Sequence, residues 1–351
     1  MTLINQYVGR LAPYDIKSLR LIIGVVLAVA IAFGFNWPFA FIMPVFVAKF
    51  LSNNKPKIPF NKLVSLFLIV VIAIVLGSVL TRMLLPFPAV FVLIITLLIF
   101  WISYWNNSGG NELVITMLLV GLTAMPVLGV IDLRLAQVFT YGFLFSCFMS
   151  LLLTLIMHEL IHDKPEPSVH EQISSGTPLN DEGEPLPSQA TAIKLALIST
   201  LMIMPVVGFF LATENTSVLV LVFVALLAQN PDLVAGIKGS TALLLGNTIG
   251  GIIAVLMYNF LQIAPNFTFL LLLFAFSTAV LSKLIFTDKP AAALYAMALG
   301  TVIILVASAS SGAADADEKF YARIIQIGCA CGYIVFATVL ANPLLKKLSQ
   351  Y

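Results

Sequence analysis

Charge is what this sequence has least of. Charged residues make up 10% of the 351 residues, whereas a soluble domain carries about 25%. Hydrophobic residues make up 60%, and they form runs long enough to supply the roughly 20 apolar residues that cross a bilayer. The scarcity of charge therefore excludes an ordinary soluble protein. The net charge of +2 is too small to indicate a nucleic-acid partner.

Cysteine is also scarce, and two familiar motifs are absent. The three cysteines, Cys147, Cys329 and Cys331, lie in apolar runs and form no CxxC pair. Cys329 and Cys331 are two positions apart and so point to different faces of a helix, which favours a packing role. The sequence has no GxxxxGK[ST] loop, which excludes a P-loop ATPase.

The apolar runs do not alternate with period two, so they predict helices and not a membrane β-barrel. A helix also satisfies its own backbone hydrogen bonds in lipid. We therefore predict an all-α, polytopic membrane protein with about twelve transmembrane helices. The predicted spans of the first half are 18–35, 38–52, 62–82, 88–105, 111–127 and 134–160. Those of the second half are 192–211, 216–229, 237–261, 266–287, 290–309 and 320–343.

The two sets of six spans resemble each other. Val-Phe-Val-Ala at 45–48 recurs at 222–225, and Arg20 before the first span matches Lys194 before the seventh. An even number of spans gives both halves the same orientation, so we predict two parallel six-helix repeats.

The predicted domains are a first repeat at 1–162 and a second at 192–351. An acidic, proline-rich linker at 163–191 joins them. Of the 18 lysines and arginines, 14 fall on the side that holds the linker and both termini. The positive-inside rule then predicts that the termini and linker are cytoplasmic.

One catalytic motif stands at the end of the sixth span. The sequence 158–162 reads His-Glu-Leu-Ile-His, and in HExxH proteases the two histidines bind zinc while the glutamate activates water. However, Asp-Lys-Pro at 163–165 ends the helix at once, and no apolar span supplies a dedicated third ligand. We favour coincidence at a helix–linker junction and predict no metal, no cofactor and no enzymatic activity. A membrane zinc protease stays open as an alternative.

Charged residues at equivalent ends of the two halves are candidates for transport chemistry. Asp132 and Arg134 precede the sixth span, and Asp315, Asp317 and Arg323 precede the twelfth. A charge costs roughly 2.5–3.5 kcal/mol at the centre of a spanning helix, so charges near spans are functional suspects. We predict that the two arginines bind the substrate anion and that the three aspartates couple protons. The same aspartates could equally stabilise helix N-termini.

Small residues mark a close helix contact at 246–251, which reads Gly-Asn-Thr-Ile-Gly-Gly. Small residues four apart let two helix backbones approach closely. Packing alone is the favoured interpretation. The alternative is a polar strip beside a permeation path, for which we predict Asn247 and Thr248 as substrate-binding residues.

Two short patterns carry a family resemblance. Lys238 precedes the glycine-rich motif at 246–251, and Arg323 is followed by Gly328. With these patterns and six helices per half, the chain resembles the fusaric acid resistance and aromatic acid exporter superfamily, in a compact bacterial branch. The larger exporters carry a substantial soluble domain, whereas this chain has only the acidic linker.

The resemblance implies an inner-membrane efflux permease that exports small organic or aromatic acids, driven by the proton motive force. Its partners would be the lipid bilayer and an organic anion. A periplasmic adaptor protein and a homo-oligomer are further partners that this interpretation allows. A non-transporting scaffold subunit of an envelope complex is the remaining alternative.

Overall fold

The computed structural model describes residues 13–39, 41–52, 59–161, 188–213, 237–287 and 291–310, and nine further positions: 325, 328, 329, 332, 333, 335–337 and 339. Every regular element in these ranges is an α-helix. We name the ten continuous helices in chain order: α1 (Pro13–Phe35), α2 (Ile42–Ser52), α3 (Phe60–Leu84), α4 (Pro88–Asn107), α5 (Glu112–Ile131), α6 (Leu133–Leu160), α7 (Gln189–Thr213), α8 (Ile237–Ile263), α9 (Phe267–Ile285) and α10 (Ala292–Ser310).

Eight of these helices contain a stretch long and apolar enough to cross a membrane. The two exceptions are α2, with 11 residues, and α10, whose apolar part is Ala292–Val306. The finding confirms an all-α, multi-pass membrane protein. Twelve spans and the repeat arrangement stay predictions, because 216–229 and most of 320–343 lie outside the described residues.

Local sequence signals set several helix ends. Pro88 opens α4, where its missing N–H would have had no intrahelical partner. Asn266 caps α9 by accepting a hydrogen bond from the backbone N–H of Thr268 at 2.9 Å. Pro126 lies within α5 and Pro205 within α7, and membrane helices tolerate such interruptions better than soluble ones.

The chain packs as two units, and the first comprises Met1–Phe60, Ser146–Gly176 and Leu245–Ala322. Within it, α1 packs against α2 and α9, and α10 packs against α2 and α9. Phe46 and Phe274 are fully enclosed in its core. The first unit therefore combines α1, α2 and the end of α6 with α8 to α10.

The second unit comprises Asn61–Phe145, Thr177–Leu244 and Arg323–Tyr351. Here α4 packs against α5 and α7, and α5 also contacts α7. Phe139 and Phe143 stack at the start of α6, with ring centroids 5.3 Å apart. Each unit thus draws helices from both halves of the sequence. The predicted domain boundaries at 162 and 192 divide the sequence into halves, and they stay a prediction. The linker between them lies almost wholly outside the described residues.

Candidate functional site

Arg20 is the one buried charged side chain among the residues that the structure describes. It lies in the second turn of the candidate span Asp15–Phe35 and is only 2% exposed. Its neighbours on the same face of α1, Ile16 and Gly24, are buried as well. A buried charge is stabilised only by hydrogen bonds or by an opposite charge. A permanent positive charge in this position is a candidate for binding an anion.

The helix that packs on α1 presents buried hydroxyl groups. On α9, Ser277 and Ser282 donate hydrogen bonds to carbonyl oxygens of their own helix, at 3.2 and 3.0 Å. Thr278 is fully buried, and its Oγ1 atom makes no hydrogen bond within the part of the chain that the structure describes. Buried hydroxyls without a partner are uncommon. The first unit thus holds an arginine and an unsatisfied hydroxyl on two helices that pack together.

The glycine-rich motif forms a close contact between α8 and α10. A Cβ atom on Gly246 would lie 2.8 Å from the carbonyl oxygen of Leu294, and one on Gly250 would lie 2.5 Å from that of Ala298. Only glycine permits this approach, as the small-residue spacing predicted. The motif is therefore a helix-packing element in the first unit.

Asn247 and Thr248, the predicted path-lining pair, face different ways. Asn247 is buried, and its Oδ1 accepts a hydrogen bond of 2.6 Å from Thr301 on α10. Thr248 is exposed. The structure shows a packing bond at Asn247, and the role of both residues in binding substrate stays a prediction.

Asp132 and Arg134 lie at the exposed start of α6. The Oδ1 atom of Asp132 accepts a hydrogen bond of 2.7 Å from the backbone N–H of Arg134. Its carbonyl oxygen accepts another from the N–H of Ala136 at 3.1 Å. Asp132 therefore caps the helix, which is one of the two interpretations that its sequence position allowed.

The remaining predicted site residues, Asp315, Asp317 and Arg323, lie outside the described residues. Of the described ones, Asp132 and Arg134 belong to the second unit, whereas Asn247 and Thr248 belong to the first. Asp132 and Arg134 are joined by a hydrogen bond within the second unit, whereas Asn247 and Thr248 face different ways within the first.

Of the histidine motif, the structure describes residues 158–161. The ring nitrogen Nδ1 of His158 lies 2.8 Å from the carbonyl oxygen of Thr154, one helical turn earlier. Glu159 is exposed, and His162 lies outside the described residues. No group of three or more potential metal ligands occurs within the described ranges. The metal-free prediction remains untested.

Arg20 is the functional candidate that the sequence pattern did not single out. It counted only as the counterpart of Lys194 in the repeat and as one of the positive charges that set the orientation. Ile16, Arg20 and Gly24 are four positions apart and therefore share one face of a helix. That spacing could have predicted from the sequence that Arg20 lies on the buried face of α1.

Residues 17–161 match the family model described as "Protein of unknown function (DUF2955)". The matched region covers most of α1 and all of α2 to α6, which is the first half of the sequence. No curated protein and no solved structure matches the chain.

Proposed function

We propose that this protein is an inner-membrane permease that exports small organic or aromatic acids, driven by the proton motive force. The observation that carries the proposal is Arg20, a charged side chain buried within a candidate membrane span. An arginine keeps its charge at any physiological pH, and its planar guanidinium matches a carboxylate with two parallel hydrogen bonds. A cation in this position attracts an organic anion.

The location of Arg20 fits export. The positive charges predict that the termini are cytoplasmic, which puts the start of α1 on the cytoplasmic side. Arg20 then lies near the end of the helix where an exporter takes up its substrate. Arg134 and Arg323 stay proposals for attracting the anion elsewhere along its route, and Asp132, Asp315 and Asp317 stay proposals for proton coupling.

The proposed architecture is twelve helices in two parallel repeats, and the burial pattern of α1 and α7 supports it. Six of the nine described buried positions of α1 recur in α7 at a constant spacing of 174 residues, the spacing that separates Arg20 from Lys194. The pairs are Ser18 and Ala192, Leu21 and Leu195, Gly24 and Ile198, Val25 and Ser199, Ala28 and Met202, and Val29 and Ile203.

A second pair of helices, α4 and α9, shows the same agreement. Six buried positions recur at a constant spacing of 179 residues. The pairs are Phe91 and Leu270, Ile95 and Phe274, Ile99 and Thr278, Ile102 and Leu281, Ser103 and Ser282, and Asn107 and Phe286. Which positions of a helix are buried depends on where its neighbours pack. Two helices with the same buried positions therefore have neighbours on the same face.

Efflux of labelled benzoate and 4-hydroxybenzoate from energised cells tests the transport proposal. A charge-assisted hydrogen bond contributes about 1.5–3 kcal/mol, and each 1.4 kcal/mol is a factor of ten. We therefore expect Arg20→Gln to lower uncoupler-sensitive efflux about tenfold or more. Arg82→Gln, which changes an exposed arginine at the end of α3, is the matched control.

Two outcomes would contradict the proposal. Efflux of both acids equal to that of empty-vector cells, despite normal expression, would reject this substrate class. Efflux that Arg20→Gln leaves unchanged would reject the role of the buried arginine. Size-exclusion chromatography of the Arg20→Gln protein separates a loss of transport from a loss of folding.

A further inference from the structure

Two helix pairs join the first half of the sequence to the second. In the first unit, α1 from the first half packs against α9 from the second. In the second unit, α4 from the first half packs against α7 from the second. On the repeat arrangement proposed above, in which α1 corresponds to α7 and α4 to α9, both contacts are the same helix pair with the roles of the halves exchanged.

The end of each half also meets the first helix of that half. In the first unit the end of α6 meets α1, where Met157 lies close to Gly24. In the second unit Tyr333 meets α7, because its hydroxyl donates a hydrogen bond of 3.1 Å to the carbonyl oxygen of Met202. Ala337 packs against the same part of α7. In each unit, α1 or α7 thus meets the end of its own half and packs against a middle helix of the other half.

The family match concerns one half of the sequence. It covers the first half alone, residues 17–161. A chain with only that half would contain α1 and α4 but neither α9 nor α7. Both helices would lack the partners that they have here, and a second half of the same kind would supply both.

We propose that the two halves recognise each other through this repeated helix pair, and that the partner which fits each half is another copy of the same type of half. The contact, not the linker, then holds the halves together. Packing and interhelical hydrogen bonds drive such association in membranes, since lipid removes most of the hydrophobic driving force. The inference does not depend on what the protein transports.

A cleavable form of the full-length protein tests the proposal. A protease site replaces residues 172–178, the protein carries a C-terminal affinity tag, and it is purified in detergent and then cut. We expect the N-terminal fragment to stay bound to the tagged fragment through extensive washing. Release of the N-terminal fragment from the wild-type protein would overturn the proposal.

Variants on α9 and α4 show whether the repeated face is responsible. Phe274 on α9 and Ile99 on α4 are both 0% exposed, whereas Phe276 and Leu97 are 70% and 50% exposed. We expect Phe274→Ala and Ile99→Ala each to lower the retained fraction after cleavage, and the double variant to lose most of it. Phe276→Ala and Leu97→Ala should match wild type. Equal retention in all variants would overturn the proposal.

The uncut variants show whether a substitution disturbs folding and not only the contact between the halves. Each variant is first run uncut on a size-exclusion column, and only a monodisperse protein is scored. The milder Phe274→Leu replaces Phe274→Ala if the latter aggregates, with an intermediate loss of retention expected. The proposal would be contradicted if the Phe274→Leu fragments stayed bound as in wild type while the fragments of the Phe276→Ala control separated. The exposed face of α9, and not the buried one, would then hold the halves together.

Discussion

Thr301 donates a hydrogen bond of 2.6 Å to the Oδ1 atom of Asn247 and so joins α10 to α8. Both residues are buried, at 1% and 8% exposed. The bond lies beside Gly246 and Gly250, where the backbones of the two helices are closest. A polar residue that the sequence suggested for a transport path thus has a packing role within the first unit.

Removing this hydroxyl should destabilise the protein. Thr301→Val keeps the shape of the side chain but leaves the buried oxygen of Asn247 without this donor, which costs about 1–3 kcal/mol. We expect the melting temperature of the detergent-purified protein to fall. Thr268→Val, at an exposed position of α9, should leave it unchanged. Equal melting temperatures for Thr301→Val and wild type would show that the bond contributes nothing.

The two adjacent glycines of α8 should respond differently to the same substitution. A Cβ on Gly250 would lie 2.5 Å from the carbonyl oxygen of Ala298 and 2.8 Å from the Cβ of Thr301, whereas Gly251 has no atom within 4 Å of that position. Gly250→Ala should therefore cost about 1–3 kcal/mol by forcing the helices apart. Gly251→Ala should be neutral, or stabilise by up to about 1 kcal/mol through helix propensity. Thermal unfolding of both variants checks this, and a Gly251→Ala protein that is the less stable of the two would refute it.

Asp132 can be tested with two substitutions that differ only in capping. Asparagine caps a helix about as well as aspartate, whereas alanine does not, and the difference is about 0.5–2 kcal/mol. We expect Asp132→Asn to keep wild-type stability and Asp132→Ala to lose about 1 kcal/mol in thermal unfolding. A stable Asp132→Asn protein also isolates the titrating carboxyl. Loss of uncoupler-sensitive efflux in that variant would support proton coupling, and retained efflux would leave Asp132 a helix cap.

The helices could be predicted closely because a bilayer fixes their length. The predicted spans 62–82, 88–105 and 134–160 became Phe60–Leu84, Pro88–Asn107 and Leu133–Leu160. Long apolar runs carry this information without any knowledge of packing.

The partners of the helices could not be predicted in this way. In a soluble protein the buried face of a helix is apolar and the exposed face is polar, but in lipid both faces are apolar. On α9, Phe274 is fully buried and Phe276 is 70% exposed, although both are phenylalanine. The pairing of α1 with α9 and the burial of Arg20 depend on contacts between helices. These contacts cannot be predicted from hydrophobicity alone.

Zinc content provides the last prediction. Because His158 lies beside the carbonyl oxygen of its own helix and Glu159 is exposed, we expect the purified protein to contain far less than one zinc per chain. Atomic absorption after dialysis measures this directly, and Glu159→Gln should leave efflux unchanged if the carboxylate activates no water. One equivalent of zinc that disappears in His158→Ala would reverse the interpretation, since two histidines four residues apart on a helix form a standard zinc-binding pair. The protease alternative would then outrank the permease.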